Sequence, residues 1–521
     1  MHHEYLMAID AGTGSVRAVI FDAKGNQVAA VSEEWEHKED PRYPGSMDFD
    51  WNHNWELTEN CIRQAMAKSG IQAEELKGIS TTCMREGIVL YDASGKEIWA
   101  CANVDARSND EVAFLISQNK ALEKELYLKS GQTYSLSAIP RLLWVKNKMP
   151  EIYDKIASVG MFNDWLAYKL TGILATEPSN GSTTGLFDLQ SRRWDPEIAA
   201  KCGIRTDIFP DVKESGFVLG RTDKKLVANT GLKAGIPVVV GGGDCQLGSL
   251  GVGVVNAGEA GVFGGSFWQY EYNTDHPRPD ADCRVRVNCH AIPGLWQYEA
   301  LAFQPGLVMR WYRDGFCQAE KELGAQTGRS AYDIMNERAT FVPPGSYGML
   351  CAFSDVMNFI QWKHAAPTFS NFMLNPEKYN KYTFYRAILE NAALVTKGNV
   401  DLVYQTTGKL PPEITFASGA ANSPLWSRIL ADVLGIPVNV PKVKEATALG
   451  GAILAGYGVG IYGDIAKAAK ELVSIENRFE PDPENHALYG EIYEKWRAFY
   501  PAQLKLCDAG ITKNMWIAPG L

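Results

Sequence analysis

At 521 residues the chain is too long for one core of ordinary size, so two domains are expected. Hydrophobic residues at 46% and charged residues at 21% are globular values, and a net charge of −10 disfavours nucleic acid and anionic membrane as principal partners. No apolar run reaches the roughly 20 residues of a membrane span. Glu4 and Asp10 flank too short an apolar stretch for a signal peptide. Ten scattered cysteines without a C-x-x-C pair read as reduced thiols, so a cytoplasmic location is expected.

In chain order, Tyr5–Ile9 and Val16–Phe21 read as buried strands joined by a Gly-rich turn, with a further strand from Gln27. Residues 55–68 have helical character, with Asn54 as N-cap and Gly70 as stop. The apolar strand 78–84 leads into Arg85-Glu86-Gly87, and the strand from Pro237 ends in three glycines and Asp244. The glycine-spaced stretch 248–258 follows, placing a boundary between domains at 1–257 and 258–521. Strand, glycine turn and strand then recur over 259–272, which suggests an architectural duplication rather than a sequence repeat. Helices are expected at 382–400 and at Pro424–Leu434; the latter has Ser423 as N-cap, Pro424 in its first turn and Gly435 as stop.

Three segments carry chemistry. Asp10-Ala11-Gly12-Thr13-Gly14-Ser15-Val16-Arg17 combines glycines, which let backbone N–H groups face a phosphate, with two hydroxyls and a carboxylate able to hold Mg²⁺ through water. An ordinary hairpin turn has the same composition. Asp244, at the end of a buried strand, suits a base that accepts a proton from an attacking hydroxyl, although alone it reads more readily as a turn aspartate. Ser418-Gly419-Ala420-Ala421-Asn422-Ser423, between a strand and a helix, could lie against a nucleoside or simply pack tightly. The Arg85-Glu86 pair offers charge-assisted hydrogen bonds to hydroxyls, or is a solvated loop. The match of Gly458, Gly460 and Gly463 to G-x-G-x-x-G lacks the strand–turn–helix setting of a dinucleotide site. No G-x-x-x-x-G-K-[ST] exists, so an ATP site here is not a P-loop, and an α/β pair of actin-like domains around a cleft is the natural host.

These residues resemble the FGGY family of carbohydrate kinases, over nearly the whole chain and in the family's motif order. The resemblance implies two actin-like ATPase (ribonuclease H-like) domains around a central cleft, with ATP and Mg²⁺ as cofactors. It implies Thr13, Gly14, Ser15 and Arg17 as a first phosphate loop, Gly265 and Ser266 as a second, and Gly306, Gly419 and Ser423 as further nucleotide contacts. Asp244 matches the catalytic base, and Asp10 with Asp244 would hold the metal. Arg85 and Glu86 match a substrate-binding pair, with Cys245 beside them and Asp164 and Leu136–Ser137 as further lining candidates. Gly265 stands where the family commonly has Thr, Ser418 where it has Gly, and Cys245 where glycerol kinases have Gln.

The stretches MREGIVLY (84–91), WACANVDAR (99–107), SAIPRLLW (137–144), PPGSYG (343–348), HAAPTF (364–369) and APGL (518–521) resemble one branch of that family. Its members phosphorylate the C5 hydroxyl of linear autoinducer-2, 4,5-dihydroxy-2,3-pentanedione. The implied partner is therefore a small polyhydroxy substrate, and some relatives are regulated by a phosphotransferase-system carrier. A xylulokinase-like pentulose or polyol kinase, and a catalytically silent sugar sensor that binds nucleotide, are the alternatives.

Overall fold

The computed structural model describes residues 4–521. Its first half is built on a six-stranded sheet. Strands β1 (Tyr5–Ala11), β2 (Ser15–Asp22) and β3 (Gln27–Glu34) form an antiparallel meander. After helix α1 (Trp51–Ser69), β4 (Leu76–Cys83) joins parallel to β1. Further along the chain, β5 (Val218–Arg221) and β6 (Pro237–Gly243) complete the order β5-β6-β4-β1-β2-β3, with β6 parallel to β4. Every residue of β1 after Tyr5 is buried, which is what a central strand covered on both faces requires.

Helix α2 (Asp244–Gly251) leaves the end of β6 and leads to a second sheet. There β7 (Ala260–Gly264), β8 (Trp268–Thr274), β9 (Arg286–Cys289) and β10 (Trp296–Ala302) are antiparallel. Beyond them lie α3 (Pro305–Phe316), α4 (Ala331–Ala339), the short strand β11 (Lys363–Ala365) and the long helix α5 (Lys381–Thr407). Strands β12 (Ile414–Ala417) and β13 (Val438–Pro441) add parallel to β7, with α6 (Pro424–Leu434) between them, and β14 (Ile475–Phe479) closes the order β9-β10-β8-β7-β12-β13-β14. An antiparallel meander extended by parallel strands thus occurs twice. This is the bilobed actin-like, ribonuclease H-like α/β fold, and the recurrence at 259–272 is its second meander.

Helix α7 (Ala446–Gly458) belongs to the second half in sequence but lies on the first sheet, sharing an apolar cluster with Leu6, Ala8, Val19 and Phe21. It also crosses α2 at van der Waals distance. A Cβ on Gly251 would stand 1.8 Å from the Ala446 carbonyl oxygen, and one on Gly450 would stand 2.0 Å from that of Leu247. The small-residue stretch from Glu445 to Ala452 is therefore packing, as its composition suggests.

Two helix limits differ from the sequence reading. Helix α1 begins at Trp51 because the Asp50 carboxylate caps it, accepting from the His53 N–H at 3.1 Å, while Asn54 is buried inside the helix. Its first turn, Trp-Asn-His-Asn, consists of poor helix formers, which hides the start. Helix α5 runs on to Thr407 because Leu402 and Val403 keep an apolar face against the core, and Gly408 at φ +68° ends it. Asp244 is likewise the first residue of a helix rather than the last of a strand.

Because no side-chain motion relieves a clash with a backbone carbonyl, Gly450→Ala should destabilise the chain by about 1–3 kcal/mol, read as a lower midpoint of thermal unfolding. An unchanged midpoint would mean that α2 and α7 can part without cost.

Candidate active site

The first glycine turn projects between β1 and β2. Its carbonyls are all engaged on one side: the Trp35 indole donates to those of Gly12 and Thr13 at 3.1 Å, and the Trp35 N–H donates to that of Gly14 at 3.1 Å. The Thr13 carbonyl also meets the His37 ring at 2.6 Å. Thr13 and Gly14 are exposed. At the turn's root, burial pushes the Asp10 carboxyl up to about 7, with Asp244 and Glu445 adding to the rise and Arg17 opposing it. Arg17 itself is paired with Glu445 at 3.0 Å, next to the start of α7.

The second turn, between β7 and β8, is closed by the Gly265 N–H donating to the Phe267 carbonyl at 2.8 Å. The first turn of α3 rests on it so closely that a Cβ on Gly306 would lie 2.1 Å from the Gly265 carbonyl oxygen. Gly265, Ser266, Gly306, Gly419 and Ser423 all line one cavity of about 440 Å³ in the second lobe. Ser423 also caps α6, accepting from the Trp426 N–H at 3.2 Å. Tyr332, Asp333 and Asn336 of α4 complete this cavity, and the sequence reading missed them. The signal was present: Ser330 and Asp333 form a capping box, the pattern of a helix start. Ser418 sits at φ +72°, ψ −171°, a conformation that suits glycine. Here the departure from the family's Gly has a visible backbone cost.

Between the lobes lies a second cavity, of about 460 Å³, lined by Thr13, Arg85, Glu86 and Asp244 among others. The triple glycine before Asp244 has a steric cause. A Cβ on Gly241 would stand 1.6 Å from the Thr81 carbonyl oxygen of β4, and one on Gly243 would meet the Arg85 stem at 3.0 Å. Asp244 accepts from the Cys245 N–H at 2.8 Å and faces Arg85 Nε at 3.3 Å. Burial raises its carboxyl above the ordinary range while the Arg85 charge opposes the rise.

Arg85 and Glu86 form no solvated loop, nor do they pair with each other. Arg85 is only 5% exposed and grips Glu299 of β10 through both terminal nitrogens. Glu86, at φ +67°, meets Arg286 of β9 at 2.6 Å, and Arg286 lies 3.4 Å from Glu299. Two residues of each lobe thus form a chain of alternating charge, closed into a ring by the peptide bond between Arg85 and Glu86, and all four line the cavity. Burial alone would raise the Glu299 carboxyl, but the two guanidiniums hold it well below the carboxylate range. Behind the ring, burial and the Glu299 charge push Glu271 well above that range. Arg286 and Glu299 were not singled out from sequence, because nothing local marks two residues on antiparallel strands as facing a loop some two hundred positions earlier.

Asp10, Gly14, Ser15, Arg17 and Cys245 line neither cavity. The Cys245 thiol is buried and points to Gln269, its Sγ 3.3 Å from Oε1. Asp164 is a correction: it is fully buried and accepts from the Met161 N–H at 2.8 Å, capping the helix Phe162–Thr171 instead of meeting the cleft. Of the pair at 136–137, Leu136 lines the cavity, whereas Ser137 turns back to the Tyr134 carbonyl at 3.0 Å.

A doubled actin-like sheet, each half opening with a strand–glycine turn–strand, with Asp244 in a cavity between the lobes, defines the class: a two-lobed ATP-dependent phosphotransferase. Residues 5–251 match the FGGY family of carbohydrate kinases, N-terminal domain, and residues 270–459 match its C-terminal domain. The chain belongs to the FGGY family of carbohydrate kinases, enzymes that phosphorylate small polyhydroxy compounds. It is 50% identical over 518 residues to the autoinducer-2 kinase of Enterobacter sp. (strain 638), covering 99% of this chain and 98% of that protein. The same identity and coverage relate it to the autoinducer-2 kinase of Escherichia coli (strain K12). Among solved structures it is similar to the xylulose kinase from Rhodospirillum rubrum, with a TM-score of 0.83 and 23% identity over 96% of this chain and 99% of that one. The Plasmodium falciparum glycerol kinase with ADP gives a TM-score of 0.83 at 20% identity, covering 96% and 98%. Among the described residues no helix is long and apolar enough to cross a membrane.

Removing one member of a buried ion pair leaves its partners uncompensated, at a cost of about 3–5 kcal/mol. Glu299→Gln should therefore lower stability to urea by an amount of that order and raise KM for the acceptor more than for ATP. Ser418→Gly should act the other way, adding about 1 kcal/mol as strain is relieved against glycine's entropy.

Proposed function

We propose that this chain transfers the γ-phosphoryl group of ATP to the C5 hydroxyl of linear autoinducer-2, in quorum-signal processing. The observation that carries the acceptor is the 50% identity to autoinducer-2 kinases along 99% of the chain. The position of Asp244, in a cavity between two glycine turns and beside Arg85, supports the reaction. In this reading the lobes are residues 1–257 and 258–521, a division that falls between α2 and β7.

Asp244 accepts the proton of the attacking hydroxyl. Its raised proton affinity suits that task, because a carboxylate nearer neutrality is a better base than an unperturbed one. Arg85 and Glu86 orient the acceptor by donating to and accepting from its oxygens. Thr13, Gly14 and Ser15 offer N–H and hydroxyl donors to the phosphates, with Gly265 and Ser266 doing so from the other lobe. Gly306, Gly419 and Ser423 border the nucleoside, and Arg17 holds the first turn to α7 through Glu445. Cys245 supports the acceptor site from behind. Closure of the lobes excludes water, the competing acceptor.

The donor set fits a hard cation. Asp10 and Asp244 are two carboxylates, the Asp244 charge adds to the rise of the Asp10 carboxyl, and Asp10 accepts a proton near neutrality when no cation answers it. Mg²⁺ held there through water would neutralise charge on the transferring phosphate.

Three measurements test this reading. Acceptor-stimulated ADP release should favour the pentanedione over D-xylulose, D-ribulose and glycerol at equal concentrations; a preference for a pentulose would replace the acceptor and keep the mechanism. Asp244→Asn should lower kcat by about 10²–10⁴, the contribution of a general base, with nucleotide affinity within a few-fold of the parent. Because a carboxyl near 7 is protonated at pH 6 and ionised at pH 8, half-saturating Mg²⁺ should fall about tenfold between those values, and Asp10→Asn should flatten that dependence. An equally steep dependence in Asp10→Asn would remove that residue from the metal site.

A further inference from the structure

The strand β15 (Asn514–Ile517) pairs antiparallel with β11, setting Trp516 opposite His364 and Ile517 opposite Lys363. The chain then crosses to the first lobe. The Ala518 N–H donates to the Trp362 carbonyl at 2.9 Å, and the Ser135 hydroxyl donates to that of Pro519 at 2.9 Å. At Gly520, φ +83°, a Cβ would stand 2.3 Å from Val112, so the segment is seated against that lobe without room for a side chain. Along its course Trp516, Ile517 and Pro519 line the acceptor cavity, beside Leu301, Phe303 and Trp362. The Trp516 ring lies 4.7 Å from Trp362 and 5.1 Å from Phe303. His364 stacks on Phe303 at 4.6 Å, and burial pushes its pKa down to about 3, so it adds no charge near neutrality.

The cavity is therefore of mixed character. Arg85, Glu86, Arg286, Glu299 and Asp244 bring charge to it. This segment with Leu301, Phe303 and Trp362 adds a contiguous apolar surface, and Asn103, Asn109, Gln269 and Gln304 also line the cavity. The change of character falls within one strand, since Glu299 and Leu301 of β10 point to the same face. An acceptor with a hydroxyl on every carbon would leave one against this wall, stripped of water and without a partner. An acceptor ending in a methyl ketone would place its methyl group there instead, against Trp516, Phe303 and Leu301.

We propose that the segment 514–521 makes this site select short acceptors that end in a methyl ketone over the same chains ending in a hydroxymethyl group, with Trp516 and Ile517 as the specificity-determining residues. This rests on the kinase reading above but not on the identity of its acceptor. 1-Deoxy-D-xylulose and D-xylulose differ only in that terminal group. For the full chain, kcat/KM should favour the deoxy compound about tenfold or more, the scale on which an apolar pocket resists an added hydroxyl. Ile517→Asn, at a position already 43% exposed, and Trp516→Gln should each bring the ratio toward one, with KM for MgATP within twofold of the parent as the sign that the nucleotide half is intact.

Equal kcat/KM for the two compounds in the parent, or a ratio unchanged in both variants, would overturn the proposal. Discrimination between them without turnover of the pentanedione would remove the acceptor named above and leave this inference standing. Turnover of the pentanedione without discrimination would do the reverse.

Discussion

The structure depends on a charge problem solved between lobes. Arg85 lies at the end of a buried strand and almost out of contact with solvent, a position no guanidinium occupies without compensation. Its compensation comes from Glu299 on the other sheet, and the debt of Glu86 is answered in turn by Arg286. The tightest pairs, Arg85 with Glu299 and Glu86 with Arg286, each cross from one lobe to the other. The contact is therefore more than a contribution to stability: it links the two lobes, and the cavity between them lies beside it.

The ring works with a second contact of opposite character. Where α2 crosses α7, glycines bring backbone against backbone, so the two halves of the chain are held at a distance set by bare main chain. Asp244 begins one of these helices, and Glu445, which anchors Arg17, directly precedes the other. Asp244 and, through Arg17, the first glycine turn are thereby placed by one crossing of bare main chain, while the ring positions Arg85 and Glu86 beside the cavity between the lobes. Geometry and charge are supplied by different parts of the fold.

Much of this was legible in sequence where the signal is local. The two glycine turns, the helix Pro424–Leu434 with its Ser423 cap, and Asp244 after a buried strand all announce themselves through neighbouring residues. The family resemblance extended that reading to the cleft. Illegible were the contributions that exist only after folding. Glu299 is the one carboxylate in a wholly buried strand, and its meaning lies in Arg85, brought to it by the meeting of two sheets. Trp516 likewise becomes part of a cavity only through its pairing with the strand at 363–365. Asp164 shows the converse error, for a buried carboxylate can serve a helix end as readily as a substrate.

All ten cysteines are buried, and burial pushes the Cys245 thiol well above its ordinary range where it lies between the lobes. A thiol so placed reacts slowly with alkylating reagents while the lobes are together, because little of it is thiolate. It is thus a built-in gauge of aperture. The rate at which this one residue is modified reports how often the cleft opens far enough to admit solvent behind the acceptor, without any probe being added to the molecule.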